Sequence, residues 1–108
     1  MGPRPSQSQK AQAARISNLR LFESDYKLEW MDLPWADVDA AGIWLLDLAR
    51  NFLPDIVHLN GFSHAGLAWN APVVVVAHSC IRSWWKAVKS EPVPAHFAEY
   101  TRRQFARD

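Results

Sequence analysis

Two short apolar runs in the middle of the chain set the pattern that the other predicted elements follow. The runs are Asp55–Asn60 and Pro72–His78, both rich in valine or isoleucine and both bounded by turn residues. Runs of this length and composition are typical of strands that are buried on both faces of a parallel sheet. The sequence therefore predicts two parallel strands, joined by a crossover with a short helical segment or tight turn at residues 63–69.

A helical pattern precedes the first of these strands. From Trp35 to Leu53 the apolar residues recur on one broad face, and most charged residues fall on the other. Pro34 stands where a helix begins, and Pro54 ends the helix and opens the next strand. A helix followed directly by a strand is half of a β-α-β unit. The fold class predicted is α/β, with a partial Rossmann-like parallel sheet flanked by helices.

The flanking segments carry weaker patterns. Leu19–Met31 alternates apolar and polar residues in places, which predicts one or two short strands. Short helices are expected over Ser83–Lys89 and Ala95–Arg107. Residues 1–18 are rich in Pro, Ser, Gln and Ala and have no apolar period, so a disordered low-complexity tail is expected there. A single domain is expected over residues 19–108.

Length, charge and cysteine content narrow the class of protein. A chain of 108 residues forms at most one domain with a small core. A net charge of +1 gives the whole chain no electrostatic case for binding nucleic acid. The single cysteine excludes an internal disulfide, and no run approaches the ~18 apolar residues of a membrane span. Because no signal peptide is present either, a soluble cytoplasmic protein without a transmembrane segment is expected.

Polar residues gather at the carboxyl ends of the two predicted strands, where ligands bind in open parallel sheets. His78 follows the second strand. A histidine there would hydrogen-bond a sugar hydroxyl or phosphate, act as an acid or base, or only satisfy a loop carbonyl. Asn60 and Gly61 form a turn signal after the first strand, and Gly61 would let a ligand approach the backbone closely. His64 lies in the loop that follows, which is expected to face the same crevice.

Several residues after the second strand have both a functional and a structural interpretation. The pair Trp84-Trp85 would stack on a sugar ring or would belong to the core. Arg82 and Lys86 would meet a phosphate or would only solvate a helix face. The sequence by itself leaves each of these alternatives open.

Metal and nucleophile chemistry have little support in the sequence. Cys80 and His78 make a weak nucleophile–base pair, because residues two apart at a strand end tend to diverge. The residues from which a zinc site can be imagined are His58, His64, His78 and Cys80. Their spacing matches no known ligand pattern, so no metal is expected. Neither a Walker loop nor a GxGxxG sequence is present.

The central segments together resemble a known family. PDIVHLNGFSHAGLAW, followed by APVVVVAHSCIRSWW, is similar to the N-terminal domain of bacterial family-four glycosyltransferases. These are retaining enzymes with the GT-B fold, related to glycogen and starch synthases. The resemblance extends from about Leu19 to Asp108, and its most specific part is the paired pattern PDIVH…HAGL…VVVVAH.

The resemblance implies a cleft between two Rossmann-like domains. The acceptor would bind on this N-terminal side, and a C-terminal domain would hold the nucleotide-sugar, which acts as co-substrate without a further cofactor. His78 would contact the transferred sugar as the catalytic residue. The substrate-binding candidates carried over from the family pattern are Asn60, Gly61, His64, Ser79 and Trp84.

The sequence also departs from the family pattern. The family's first strand and glycine-rich loop would precede Leu19, and the donor domain with its paired glutamates would follow the last residue. The sequence therefore predicts a truncated acceptor-side fragment of a hexosyltransferase that is poorly stable and inactive alone. The alternative is a non-catalytic α/β binding module or remnant that needs a separate partner domain. A small flavodoxin-like binding protein is disfavoured, because no phosphate loop follows a first strand.

Overall fold

A computed structural model describes residues 1–78 and 80–105, the last two as backbone only. Over these residues the chain is mixed α/β, with four α-helices and one two-stranded parallel sheet. The predicted α/β class is confirmed at this level. The chain divides into two compact units, Met1–Ala41 and Gly42–Asp108.

The first helix, α1, spans Gln7–Ala14, inside the segment expected to be a disordered tail. The Ser6 hydroxyl accepts a hydrogen bond from the Gln9 N–H at 3.2 Å, and the Gln9 side-chain oxygen accepts the Ser6 N–H at 2.8 Å. This capping box satisfies donors that a helix start leaves open, and Ala and Gln both favour the helix. Disorder is expected here because the segment has no apolar period. A helix with a capping box forms without such a period, and the structure therefore differs from the expectation.

The strands expected over Leu19–Met31 are wrong, since the described structure has no strand there. The segment is irregular, and individual hydrogen bonds connect it to residues before and after it. The Tyr26 carbonyl accepts the Gly2 N–H at 2.8 Å, and the Lys27 N–H donates to an Asp37 carboxylate oxygen at 2.8 Å. Alternating polarity alone does not make a strand, because a strand also needs a neighbour for its backbone hydrogen bonds.

The second helix, α2, spans Trp35–Phe52 and confirms the predicted helix to within one residue. The Pro34 carbonyl accepts the Val38 N–H at 2.8 Å, which starts the helical hydrogen bonding. At the other end Leu53 adopts a left-handed conformation with φ of 53°. Pro54 follows and cannot donate a backbone hydrogen bond, so the helix ends here.

The sheet consists of β1, Val57–Leu59, and β2, Val73–Val75. The two strands are parallel, as predicted, although each is shorter than the apolar run that contains it. The register pairs Val57 with Val73, His58 with Val74 and Leu59 with Val75. Residues 63–66 between the strands form hydrogen-bonded turns, which confirms a tight crossover rather than a helix.

The expectation that both faces of this sheet are buried is wrong. Val57 and Leu59 are half-buried, whereas His58 between them is exposed, and Val74 on β2 is 46% exposed. Because alternate strand residues point to opposite faces, one face is partly covered and the other is open. Within the described residues the sheet has two strands, so each also keeps one edge without a strand partner.

The third helix, α3, spans Ile81–Lys89. A 3₁₀ turn at Ala95–Phe97 then leads directly into α4, Ala98–Phe105. The helices predicted in these regions are confirmed, and the last two residues of the predicted Ala95–Arg107 helix lie outside the described residues. No helix in the described part of the chain has the length and apolarity needed to cross a membrane.

Tyr100 fastens α4 to the start of α3. The tyrosine is only 3% exposed, and its hydroxyl oxygen accepts the Ile81 N–H at 3.3 Å. The rings of Trp85 on α3 and Phe97 in the 3₁₀ turn also contact each other, with centroids 5.8 Å apart. The hydrophobic side chains that are buried in the described structure are Val38, Ala41, Ala49 and Tyr100. Among the described residues, no large side chain has less than 2% of its surface exposed.

Acid is expected to weaken α4 through one carboxylate. Hydrogen bonds from Arg102, at 2.6 Å, and from Arg103, at 2.8 Å, lower the pKa of Glu99 from 4.5 to about 2. Because the folded-state pKa lies below the unfolded value, this stabilisation is present above pH 4.5 and is lost as the pH falls through about 2. The effect on the unfolding free energy should be small, since Glu99 and its two arginine partners lie at the surface.

Urea unfolding between about pH 6 and pH 2 checks this expectation. The Glu99→Gln variant should lose part of the acid dependence of its unfolding free energy. Asp55→Asn removes one carboxylate elsewhere in the same unit and serves as the charge-matched control. An acid dependence identical in Glu99→Gln and the unsubstituted chain would contradict the assignment.

Candidate functional site

The carboxyl edge of the parallel pair brings together side chains that follow the two strands. Nε2 of His78 lies 3.1 Å from Oδ1 of Asn60, although 18 positions separate them in the sequence. Both residues are exposed. An Nε2–H tautomer donates to the amide oxygen, which leaves Nδ1 as an acceptor for a ligand. The amide of Asn60 keeps two donors of its own, so the edge presents mixed hydrogen-bonding groups to solvent.

Backbone pairing explains why these two side chains meet. The Val76 N–H donates to the Leu59 carbonyl at 2.8 Å, so hydrogen bonding continues one residue past β2. Since parallel strands end on the same side of a sheet, the residues that follow Leu59 and Val76 leave the sheet together. The run of valines before His78 and the turn at Asn60 therefore place the imidazole and the amide at one edge.

His64 does not lie at this exposed edge. The residue is 7% exposed and belongs to the turn that lies against α2. A Cβ atom added to Gly42 of α2 would lie 3.4 Å from the His64 ring and 3.3 Å from the Leu67 side chain. The Nε1–H of Trp69 also donates to the His64 carbonyl at 2.9 Å. The sequence predicts that His64 faces an open crevice. In the structure its side chain is buried instead, because the turn approaches Gly42 of α2 closely.

The remaining predicted residues have different surroundings. Gly61 is half-buried directly after Asn60. Trp84 on α3 is 46% exposed, and its ring meets Trp85 edge to face with centroids 5.7 Å apart. Trp84 is thus available for stacking on a ligand, whereas Trp85 contacts Phe97 of the 3₁₀ turn. Ser79 lies outside the described residues.

Metal binding gains no support from the geometry. Among the residues that the structure describes, no three histidine, cysteine or acidic side chains come close enough together to hold an ion. His58 projects from the open face of β1, whereas His64 is buried, so the imagined zinc ligands point into different surroundings.

Cys80 caps the N-terminus of α3, a role that the sequence prediction missed. Its sulfur accepts the Ser83 N–H at 3.4 Å and lies 3.2 Å from the Ser83 hydroxyl, which in turn accepts the Cys80 N–H at 3.3 Å. The predicted helix began at Ser83, two residues later than α3 does, so it did not reveal this arrangement. The spacing of a polar cap residue and a serine three positions later is the signal that would have found it.

The thiol of Cys80 is more acidic than an ordinary cysteine. Burial raises its pKa, but the hydrogen bonds from the Ser83 side chain and backbone and from the Arg82 backbone more than offset this, and the Arg82 charge lowers it further. The net effect is a pKa below the usual value. Because the thiolate is the reactive form, Cys80 should react with alkylating reagents faster than an unperturbed cysteine at neutral pH.

Replacing Ser83 with alanine is expected to raise the pKa of Cys80 and to slow its alkylation several-fold near neutral pH. The variant loses the side-chain hydrogen bond that contributes most to stabilising the thiolate. The pH dependence of the iodoacetamide reaction measures both quantities, since this is the single cysteine of the chain. Ser8→Ala on α1 is the matched control. If Ser83→Ala does not change the pH dependence of alkylation, the role given to Ser83 is disproved.

The chain has no match among models of protein families, curated proteins or solved structures. Any function for the carboxyl edge is therefore inferred from its own geometry, above all from the contact between His78 and Asn60.

Proposed function

We propose that this chain is the acceptor-side part of a retaining GT-B glycosyltransferase and that its carboxyl edge binds the sugar that is transferred. The parallel pair would belong to a larger Rossmann-like sheet. The observation that carries the proposal is the 3.1 Å contact between His78 and Asn60 at the exposed ends of two parallel strands. Ligands of open α/β sheets bind at this edge.

The two side chains suit recognition of a sugar. A hexose presents several hydroxyl groups that donate and accept, and the imidazole and amide offer both functions within one hydrogen-bonding distance. Asn60 would fix the ring of His78, and His78 would contact the sugar as it moves from the nucleotide to the acceptor. Gly61 follows Asn60 and would leave room for the acceptor to approach the backbone.

The reaction would move a hexose from a nucleotide-sugar to a hydroxyl acceptor with retention of anomeric configuration. Charge develops on the departing nucleotide phosphate, and fixed polar groups of a donor domain would stabilise it. The 108 residues would supply the other wall of the cleft. The direct test on this chain is therefore ligand binding rather than turnover.

Titration of nucleotide-sugars and of candidate hydroxyl acceptors into isotope-labelled protein tests the proposal. We expect saturable shifts of the His78 ring resonances and of the Asn60 side-chain amide. His58 is also exposed but lies on the open face of β1, so its ring is the internal control. The proposal fails if His78 is unaffected at millimolar ligand, or if His58 shifts to the same extent.

A non-catalytic module that docks on a separate partner domain is the second candidate. The observation in its favour is the open face of the sheet, on which Ile56 is 56%, Val74 46% and Val76 37% exposed. Exposed apolar residues grouped on one face mark contact surfaces. Extending the reading frame separates the two candidates: an upstream glycine-rich loop and a downstream glutamate pair favour the enzyme, and genuine stops on both sides favour the module.

A further inference from the structure

The Gly42–Asp108 unit contains a cavity whose lining includes neither His78 nor Asn60. A cavity of about 910 Å³ opens in the Gly42–Asp108 unit beside α3, the loop at residues 91–93 and α4. Cations, hydroxyls and apolar side chains line it together. We propose that this cavity binds a small organic molecule that carries a phosphate monoester, with Arg82 and Lys86 holding the phosphate.

The positive side of the cavity comes from one face of α3. Arg82 and Lys86 are four residues apart, so they are neighbours on the helix surface, and both line the cavity. Glu91 is the one acidic residue among those that line the cavity. Lys86 forms no ion pair with any residue that the structure describes, so Glu91 does not neutralise its ammonium group. Two cations against one carboxylate favour an anionic ligand.

The thiol of Cys80 lines the same cavity and responds to this charge. Its pKa is lowered in part by the Arg82 guanidinium, after the hydrogen bonds of Ser83. Residues of the cavity wall therefore already stabilise the negative charge of the Cys80 thiolate.

The side chains, rather than the start of α3, must hold the phosphate. The Ile81 N–H already donates to the Tyr100 hydroxyl, and the Ser83 N–H already donates to the Cys80 sulfur. A guanidinium offers paired donors that match phosphate oxygens, and an ammonium adds a mobile point charge.

The other walls specify an organic rather than an inorganic anion. Phe62, Pro92 and Val93 give the cavity an apolar part, and Thr101 adds a hydroxyl group. A ring or hydrocarbon attached to the phosphate would contact this apolar part, as in most small-molecule sites. The inference is independent of the proposed glycosyltransferase function, because neither His78 nor Asn60 lines this cavity.

Alkylation of Cys80 reports occupancy of the cavity, because the chain contains one cysteine. The rate with iodoacetamide is measured on the full chain with inorganic phosphate, a hexose monophosphate and a nucleoside monophosphate, with ionic strength held constant by sodium chloride. We expect at least one organic phosphate to slow alkylation saturably by about fivefold or more, and more strongly than inorganic phosphate.

Substitutions on α3 make the test specific. Lys86→Gln should weaken the protecting ligand about tenfold, the usual size of a charge-assisted hydrogen bond, and Lys86→Arg should restore it. Lys89→Gln removes the same charge from the same helix outside the cavity and should change nothing. The inference is overturned if no organic phosphate protects Cys80, or if Lys89→Gln reduces protection as much as Lys86→Gln does.

Discussion

Replacing Tyr100 with alanine is expected to lower the free energy of unfolding of the Gly42–Asp108 unit by about 3 kcal/mol or more. Tyr100 is the one aromatic residue among the buried hydrophobic side chains of the described structure. Alanine would remove a buried ring and would also leave the Ile81 N–H without its acceptor. A small unit has a narrow margin of stability, so this loss would unfold most of it.

Urea unfolding followed by tryptophan fluorescence measures the effect. Tyr100→Phe is the matched control, because it keeps the ring and removes only the hydroxyl, and it should cost about 1 kcal/mol. Equal losses in both variants would mean that the hydroxyl and not the ring stabilises the unit. A midpoint unchanged in Tyr100→Ala would contradict the stabilising role given to the buried ring of Tyr100.

Replacing His78 with alanine is expected to weaken sugar binding at the carboxyl edge by about tenfold or more. The variant removes a ring that would hydrogen-bond the ligand directly, and a lost hydrogen bond of this kind costs about 1.4 kcal/mol, which is tenfold in affinity. Asn60→Ala should cost less, because Asn60 mainly fixes the ring of His78 through the 3.1 Å contact. Calorimetric titration with the nucleotide-sugar that shifts His78 gives both values.

His58→Ala is the control for this comparison, since it removes an exposed histidine from the open face of β1. Its affinity should equal that of the unsubstituted chain. Unchanged binding by His78→Ala would exclude the imidazole from the site, and a larger loss in Asn60→Ala would reverse the roles given to the two side chains.

Local signals in the sequence were enough to predict the elements that position the carboxyl edge. Two valine-rich runs bounded by turn residues predicted parallel strands, and Val57–Leu59 pairs with Val73–Val75 in that sense. A broad apolar period between two prolines predicted α2 to within one residue. The prediction that His78 follows a strand end depended only on these elements, which is why it agrees with the position of His78 beside Asn60.

Features that depend on tertiary contacts were not predictable in the same way. His64 is buried because a glycine of α2, more than 20 positions earlier, lets the turn approach the helix closely. Leu19–Met31 has the alternation of a strand but no neighbouring strand in the described structure. The open face of the sheet has the same cause, since apolar composition predicts burial but does not show that a covering layer is present.

An isotope-filtered NOE experiment on the labelled chain with bound nucleotide-sugar tests the central claim most directly, because it locates the sugar without any substitution. We predict cross-peaks from the hexose protons to the His78 ring and to the Asn60 side-chain amide, and none to His58. Cross-peaks confined to other residues, or equally strong ones to His58, would contradict the assignment of this edge as the sugar site.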